Sequence, residues 1–268
     1  MTSAPALTVV GLGISVPAHV TRETQACLER ADEVLYLVPD PVAVAWLESL
    51  NPNARPLHEH YEPGKPRART YEAMVDEILE RVRDGGDVCV AFYGHPGVFV
   101  NPTHDAVRRA REEGFAARML PGISAEDCLF ADLGIDPADA GCQSYEATDL
   151  LLHRRRIDPS VPLVLWQAGV VGNLDYAPEG DASHLPLLVD YLARLYPRDH
   201  AVVMYEASSY AVADARVETI ALEALADAAV SPMATLYLAP AERRERDPEA
   251  ARRFGLQREE TAEAASRA

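Results

Sequence analysis

Five consecutive apolar residues, Val88 to Phe92, stand between the Asp84-Gly85-Gly86-Asp87 stop and the loop Tyr93-Gly94-His95-Pro96-Gly97. An uninterrupted apolar run of this length has no polar face, so as a strand it must be covered on both sides. That is the environment of a strand inside a parallel sheet with helices on its faces. In open sheets of this kind ligands gather at the carboxyl ends of the strands. The two glycines of the loop remove side-chain bulk there, so backbone groups can approach a small molecule closely.

The segments on either side fit that frame. Leu7 to Val10 read as a short buried strand ending in Gly11-Leu12-Gly13, and Thr21 to Ala31 as a helix. EVLYLV reads as a second strand and PVAVAWLESL as a second helix. From Pro66, placed at the first helical position, Tyr71, Met74, Val75, Ile78, Leu79 and Val82 make one apolar stripe at helical spacing. Asn101 to Glu113 read as the next helix and Phe115 to Leu120 as the next strand. Alternation of this kind predicts a parallel α/β sheet.

Between Gly122 and Pro137 the pattern changes. SYEAT, VPLVLWQAG, a long loop from Gly169 to His184, a helix from Leu185 to Leu195, AVVMYEA, VETIALEALA and MATLYLAP follow. Their β segments are shorter and more alternating, which predicts a second α/β domain with a mixed sheet. The expected division is residues 1–121, 122–240 and a charged tail over 241–268, exposed as a helix or disordered.

With 268 residues, 48% of them hydrophobic and 25% charged, the chain can build a core without disulfide or metal staples. Its net charge of -17 argues against wrapping a nucleic acid, which needs clustered Lys and Arg. Cys27, Cys89, Cys128 and Cys142 form no CxxC and read as reduced thiols, which points to a cytoplasmic protein. The N-terminus lacks the basic region of a secretory signal, and no apolar run is long enough to span a bilayer.

Few motifs of catalysis are present. Val16 stands where a GxGxxG fingerprint needs its third glycine, so Gly11-Leu12-Gly13 reads either as a tight turn or as a ligand contact. Ser124 and Asp127 form an S-x-x-D helix start, in which Ser124 caps the helix, touches a ligand, or does both. His58, His60, His95 and His104 lack the spacing of a metal site, and no metal is expected. GxSxG and Walker A patterns do not occur. What stands out is Tyr61, Arg67, Tyr71 and Tyr93 around the Gly-Pro loop. A phenol beside a guanidinium can have a lowered pKa and act as a base.

The order GLGIS, YGHPGVFVNPTH, RMLPGISAEDCLFADLGIDP resembles the tetrapyrrole-methylase superfamily, the class III S-adenosylmethionine-dependent methyltransferases. Within it the chain is most similar to the borosin-type peptide backbone α-N-methyltransferases, from about Leu7 to Pro240. The resemblance implies two α/β domains with the cofactor in the cleft between them, in a homodimer. It implies a catalytic set of Tyr61, Arg67, Tyr71 and Tyr93. Contacts to S-adenosylmethionine would come from Tyr93, His95, Val98, Phe99, Ser124 and Ala125, then from Gln167, Tyr205 to Ala207, Ala234 and Thr235.

Methylating a peptide nitrogen is demanding because its lone pair is delocalised into the carbonyl. The resemblance therefore suggests Tyr71 or Tyr61 as base, Arg67 lowering its pKa and stabilising imidate charge, and Tyr93 placing the methyl donor. Fused family members carry their substrate as a C-terminal extension. Here a charged tail without an apolar core peptide implies a separate precursor peptide, as in split systems, with a heterotetramer of two enzymes and two peptides as one assembly. A superfamily methyltransferase acting on a tetrapyrrole or another substrate stays open, as does a silent cofactor- or peptide-binding protein.

Overall fold

The computed structural model describes residues 6–256; the last twelve residues of the expected tail lie outside them. Strands β1 (Ala6–Gly11), β2 (Glu33–Leu37), β3 (Ala54–Pro56), β4 (Asp87–Phe92) and β5 (Ala116–Met119) form one sheet in the order β3-β2-β4-β1-β5, all pairs parallel. The apolar run Val88 to Phe92 thus sits in the centre strand, buried along its length. β3 is a three-residue edge strand with no pattern to read in sequence.

Helices α1 (Arg22–Arg30), α2 (Pro41–Leu50), α3 (Arg67–Asp84) and α4 (Asn101–Glu112) cover this sheet. Strand period sorts the side chains between the two faces. Leu7, Val9, Leu35, Val90 and Phe92 pack against Met74, Ile78, Leu79 and Ala106 of α3 and α4. Val10, Val34, Tyr36, Cys89 and Ala91 pack against Leu28 and Leu47 of α1 and α2. Of the predicted α3 stripe, Met74 to Val82 are buried while Tyr71 is only half-buried, packed at the edge of that core. Each such buried aliphatic side chain is worth roughly 1.5–3 kcal/mol. Pro66 stands at the N-cap position rather than the first helical one, so α3 begins one residue later than expected, and Gly85 ends it with φ 95°.

The chain then passes through α5 (Ala125–Leu133) and α6 (Pro137–Ala140) to a second sheet. It is built from β6 (Gln143–Glu146), β7 (Leu163–Trp166), β8 (Ala201–Glu206), β9 (Arg216–Ala221) and β10 (Thr235–Leu238), in the order β6-β7-β10-β8-β9. β6 and β7 are parallel and the remaining pairs antiparallel, so the sheet is mixed as the sequence predicts. One face packs on α7 (Ala147–Leu152) and α8 (Leu185–Leu192) through Leu150, Leu188 and Leu192. The other packs on Leu129 of α5 through Val164, Trp166 and Tyr205. VETIALEALA is a strand followed by a 3-10 turn. In the tail, α9 (Pro248–Arg253) is short and exposes its side chains almost throughout. The expected division after residue 121 lies in the link between β5 and α5. No helix among the described residues is long and apolar enough to cross a membrane.

Candidate active site

The carboxyl ends of β1, β2 and β4 face the second sheet across a cavity of about 300 Å³. Two close backbone approaches shape its floor. Gly94 N–H donates to the Gly13 carbonyl at 2.8 Å, and Gly13 N–H returns a bond to the Gly94 carbonyl at 3.2 Å. A Cβ on Gly11 would lie 2.3 Å from the Gly94 carbonyl oxygen, so the first glycine of the turn is there to let the two loops meet. Gly94 itself has φ 70°, the left-handed region that favours glycine. Gly13 and Ile14 also line the cavity, so the turn serves both purposes that the sequence leaves open.

The predicted ligand contacts converge. Tyr93, His95, Val98 and Phe99 line the cavity from the loop after β4, and Ser124 and Ala125 from the start of α5. Gln167, Ala207, Ala234 and Thr235 line it from the second half. Ser124 is buried and makes a full capping box with Asp127, accepting from its N–H at 3.2 Å while Asp127 Oδ2 accepts from Ser124 N–H at 2.7 Å. Capping and cavity lining therefore coexist at this residue. Tyr205 is the exception. Its side chain is fully buried beneath the second sheet and its hydroxyl donates to Asp132 at 2.7 Å, so only its neighbours Glu206 and Ala207 reach the cavity. Strand alternation separates Tyr205 from Glu206, since successive side chains leave β8 on opposite faces, and Ala207 lies just past the end of the strand.

Phe99 and Gln167 have φ 55° and 57°, positions rarely held by non-glycine residues. Strained backbone of this kind concentrates at ligand sites. The Phe99 ring pairs with Trp166, centroids 5.2 Å apart, to make an aromatic wall that the sequence reading did not single out. Asp40, also unanticipated, caps α2 through Ala43 N–H at 2.8 Å and accepts from the Tyr210 hydroxyl at 2.5 Å. Those bonds, Tyr210 first, hold its carboxyl below the usual range. Glu206 Oε1 accepts from Ser231 at 2.8 Å and Arg216 at 3.2 Å. The cavity thus offers two carboxylates, a helix start and an aromatic wall, a set suited to an organic molecule carrying positive charge and a flat ring.

Beside this cavity lie the remaining expected residues. Arg67 opens α3 and Tyr71 follows one turn later. Tyr61 ends the 3-10 turn His58–His60, which His60 ties to α3 by a 2.6 Å contact with Glu77. Tyr61, Tyr71 and Tyr93 are within electrostatic reach of one another. Arg67 donates to the Gln167 side chain at 3.1 Å and to the Asn173 carbonyl at 2.6 Å. Tyr93 and Gln167 therefore join this group to the cavity wall.

One expectation fails here. Of the two phenols expected as base, that of Tyr61 is not lowered by Arg67, and Tyr93 behaves as Tyr61 does. Both are pushed up, first by burial and then by Tyr71 nearby. Tyr93 is 40% exposed, but it opens onto the cavity, and the surrounding walls desolvate its hydroxyl. The guanidinium is turned instead toward neutral oxygens of the second half.

The chain is similar to proteins of known name. The family model of the Tetrapyrrole (Corrin/Porphyrin) Methylases matches residues 6–226. A methyltransferase/ribosomally synthesized cyclic peptide gymnopeptides precursor of Gymnopus fusipes is 42% identical over 258 residues, 94% of this chain and 61% of that protein. The corresponding omphalotin A precursor of Omphalotus olearius is 41% identical over 266 residues, covering 95% and 62%. The chain thus spans about three fifths of these relatives. Among solved structures, uroporphyrin-III-C-methyltransferase from Thermus thermophilus superposes with a TM-score of 0.64 at 18% identity, over 89% of this chain and 94% of that one. A second structure of that enzyme, complexed with S-adenosylhomocysteine, gives 0.61 at 18% identity, over 87% and 92%. With two α/β sheets arranged as in these structures, and a family match over most of its length, the chain belongs to the tetrapyrrole methylases.

Proposed function

We propose that this protein is an S-adenosylmethionine-dependent methyltransferase that methylates backbone amide nitrogens of a separate precursor peptide. The observation that carries the reading is the convergence at one cavity. Eleven of the residues expected to touch the cofactor line it, and Tyr93 and Gln167 join it to Tyr61, Arg67 and Tyr71. The curated relatives, whose names combine methyltransferase and cyclic-peptide precursor, support the peptide as substrate.

The cavity residues fit the cofactor. Its ring system suits the Phe99–Trp166 wall, and its sulfonium and ammonium suit Asp40 and Glu206. When bound, the cofactor supplies an electrophilic methyl group. The protein's own residues do the rest. Tyr61 keeps its proton, because burial disfavours its phenolate, and in this reading it donates to the peptide carbonyl. Arg67 uses two of its five N–H groups on Gln167 and Asn173 and can turn others to the developing imidate oxygen. In this reading Tyr71, the other phenol expected as base, accepts the amide proton. The walls would bring the peptide and the methyl donor together and exclude water.

The test incubates the full chain with S-adenosylmethionine and, in separate reactions, synthetic apolar peptides supplied in trans or a tetrapyrrole, followed by tandem mass spectrometry. Methyl groups on backbone nitrogens are the expected result. Transfer to a tetrapyrrole or a side chain, or binding without transfer, overturns it. Light scattering on the same preparation reads the expected homodimer.

A further inference from the structure

The segment from Tyr61 to Arg67 carries both ends of the proposed reaction centre yet has little structure of its own. It contains Pro63, Gly64 and Pro66 and lies between a 3-10 turn and α3. A stretch from the other half of the chain, more than a hundred residues later, runs antiparallel beside it. Gly64 N–H donates to the Tyr176 carbonyl at 3.2 Å, Tyr176 N–H to the Lys65 carbonyl at 2.9 Å, and Arg67 N–H to the Leu174 carbonyl at 3.0 Å. The Arg67 guanidinium donates to the Asn173 carbonyl at 2.6 Å. The Tyr176 ring lies on the Tyr61 ring, centroids 4.4 Å apart and planes tilted by 32°.

This stretch is itself tied down at its base. Gly172 N–H donates to Thr148 Oγ1 at 3.0 Å, and Asn173 N–H to the Val170 carbonyl at 3.0 Å. The Asn173 side chain donates to Asp181 at 2.9 Å and accepts from Asp175 N–H at 2.8 Å. Leu174 points outward and is exposed, so the contacts across to the first half are made by backbone and by one ring.

From this geometry we infer that residues 172–176 are a strap that sets the positions of Tyr61 and Arg67, with Tyr176 as a positioning residue for the methyl transfer proposed above, on which its catalytic side rests. The physical need is clear. A loop with free φ/ψ would let both side chains drift, and displacement of a reacting group by about 1 Å can cost on the order of a hundredfold in rate. The strap removes that freedom by pairing the loop's backbone and by giving Tyr61 a flat surface to lie on. It also makes the reaction centre depend on both halves of the chain at once, because Arg67 is held from the second half by Gln167 and by the strap. The ring, not the hydroxyl, makes the contact with Tyr61.

The experiment compares Tyr176→Ala and Tyr176→Phe in the full chain. It reads kcat and KM for peptide methylation, S-adenosylmethionine affinity by calorimetry, and hydrogen exchange of the Gly64 and Arg67 amides. Tyr176→Ala is expected to lower kcat by about 10- to 100-fold. It should leave cofactor affinity within about twofold and speed exchange at both amides, because the cavity is lined without Tyr176. Tyr176→Phe, which keeps the stacked ring, should restore kcat to within about threefold and restore the slow exchange. Should Tyr176→Ala not fold, Tyr176→Leu carries the same expectations. The inference is overturned if the Ala or Leu variant keeps wild-type kcat, if Phe fails as badly as Ala, or if cofactor affinity falls in step with kcat. A wild type that transfers no methyl to any peptide overturns the functional reading and the catalytic role with it. Unchanged exchange at Gly64 and Arg67 in that case overturns the strap as well.

Discussion

Arg67 and Gln167 are one hundred residues apart in sequence, and the guanidinium of the first donates to the side-chain oxygen of the second at 3.1 Å. Gln167 sits at the end of β7 with φ 57° and lines the cavity, while Arg67 begins α3 on the other half. This bond is where the reaction centre and the ligand cavity become one site. Gln167→Asn tolerates the left-handed backbone but shortens the side chain by one methylene, so the bond is lost. Methyl transfer should fall about tenfold or more, as expected for losing a hydrogen bond to a charged group. Arg67→Lys should not substitute for Arg67, because one ammonium cannot span Gln167 and Asn173 as the planar fork does. Steady-state kinetics on both variants checks this.

Gly11→Ala puts a methyl group 2.3 Å from the Gly94 carbonyl oxygen and 2.7 Å from Pro96 Cδ. Backbone must move, so the cost should reach the upper end of overpacking penalties, about 3 kcal/mol. Because Gly94 and His95 line the cavity, cofactor affinity should fall in the same variant. Urea denaturation and calorimetry measure the two effects.

Ser124→Ala removes the capping box of α5 and should cost about 1 kcal/mol of stability. It also takes a polar group from the cavity lining, so cofactor affinity should weaken together with the melting temperature. A variant with lower stability and unchanged affinity would assign Ser124 to capping alone.

Tyr205→Phe tests the one expected contact that the fold turns away. The hydroxyl of Tyr205 donates to Asp132 from beneath the second sheet. Losing it should cost about 1 kcal/mol, since the exposed Asp132 regains water. Cofactor affinity should not change. A clear loss of affinity would show that the residue reaches the ligand after all.

The raised phenols of Tyr61 and Tyr93 set a direction for alkaline stability. Below the ordinary phenol pKa of about 10, both the folded and the unfolded chain keep these protons, and pH has no effect through them. Above it the unfolded chain releases protons that the folded chain retains, so stability falls as pH rises. Tyr61→Phe should make that fall shallower. Urea midpoints of wild type and variant at pH 8, 10 and 11 provide the comparison.

Much of the scaffold is legible in the chain because it is written in local patterns. The all-apolar β4, the α3 stripe and the Ser124–Asp127 box are each contained within one element, and the fold repeats them nearly residue for residue. β3 was not legible, because three residues on a sheet edge carry no periodicity. Asp40 and Trp166 were not singled out because a helix cap and a buried strand-end ring look the same in sequence whether or not a ligand lies beside them.

The sequence by itself determined the two α/β sheets and the glycine loops at the strand ends, since hydrophobic period and turn chemistry act over a few neighbours; the expected cavity residues came from the family resemblance. Only the tertiary structure decided what those residues face. It turned Arg67 to Gln167 and the strap rather than to a phenol, raised Tyr61 and Tyr93 by burial, and sent Tyr205 into the core. Each of these depends on groups far apart in the chain. Desolvation and long-range hydrogen bonds exist only once the halves have come together.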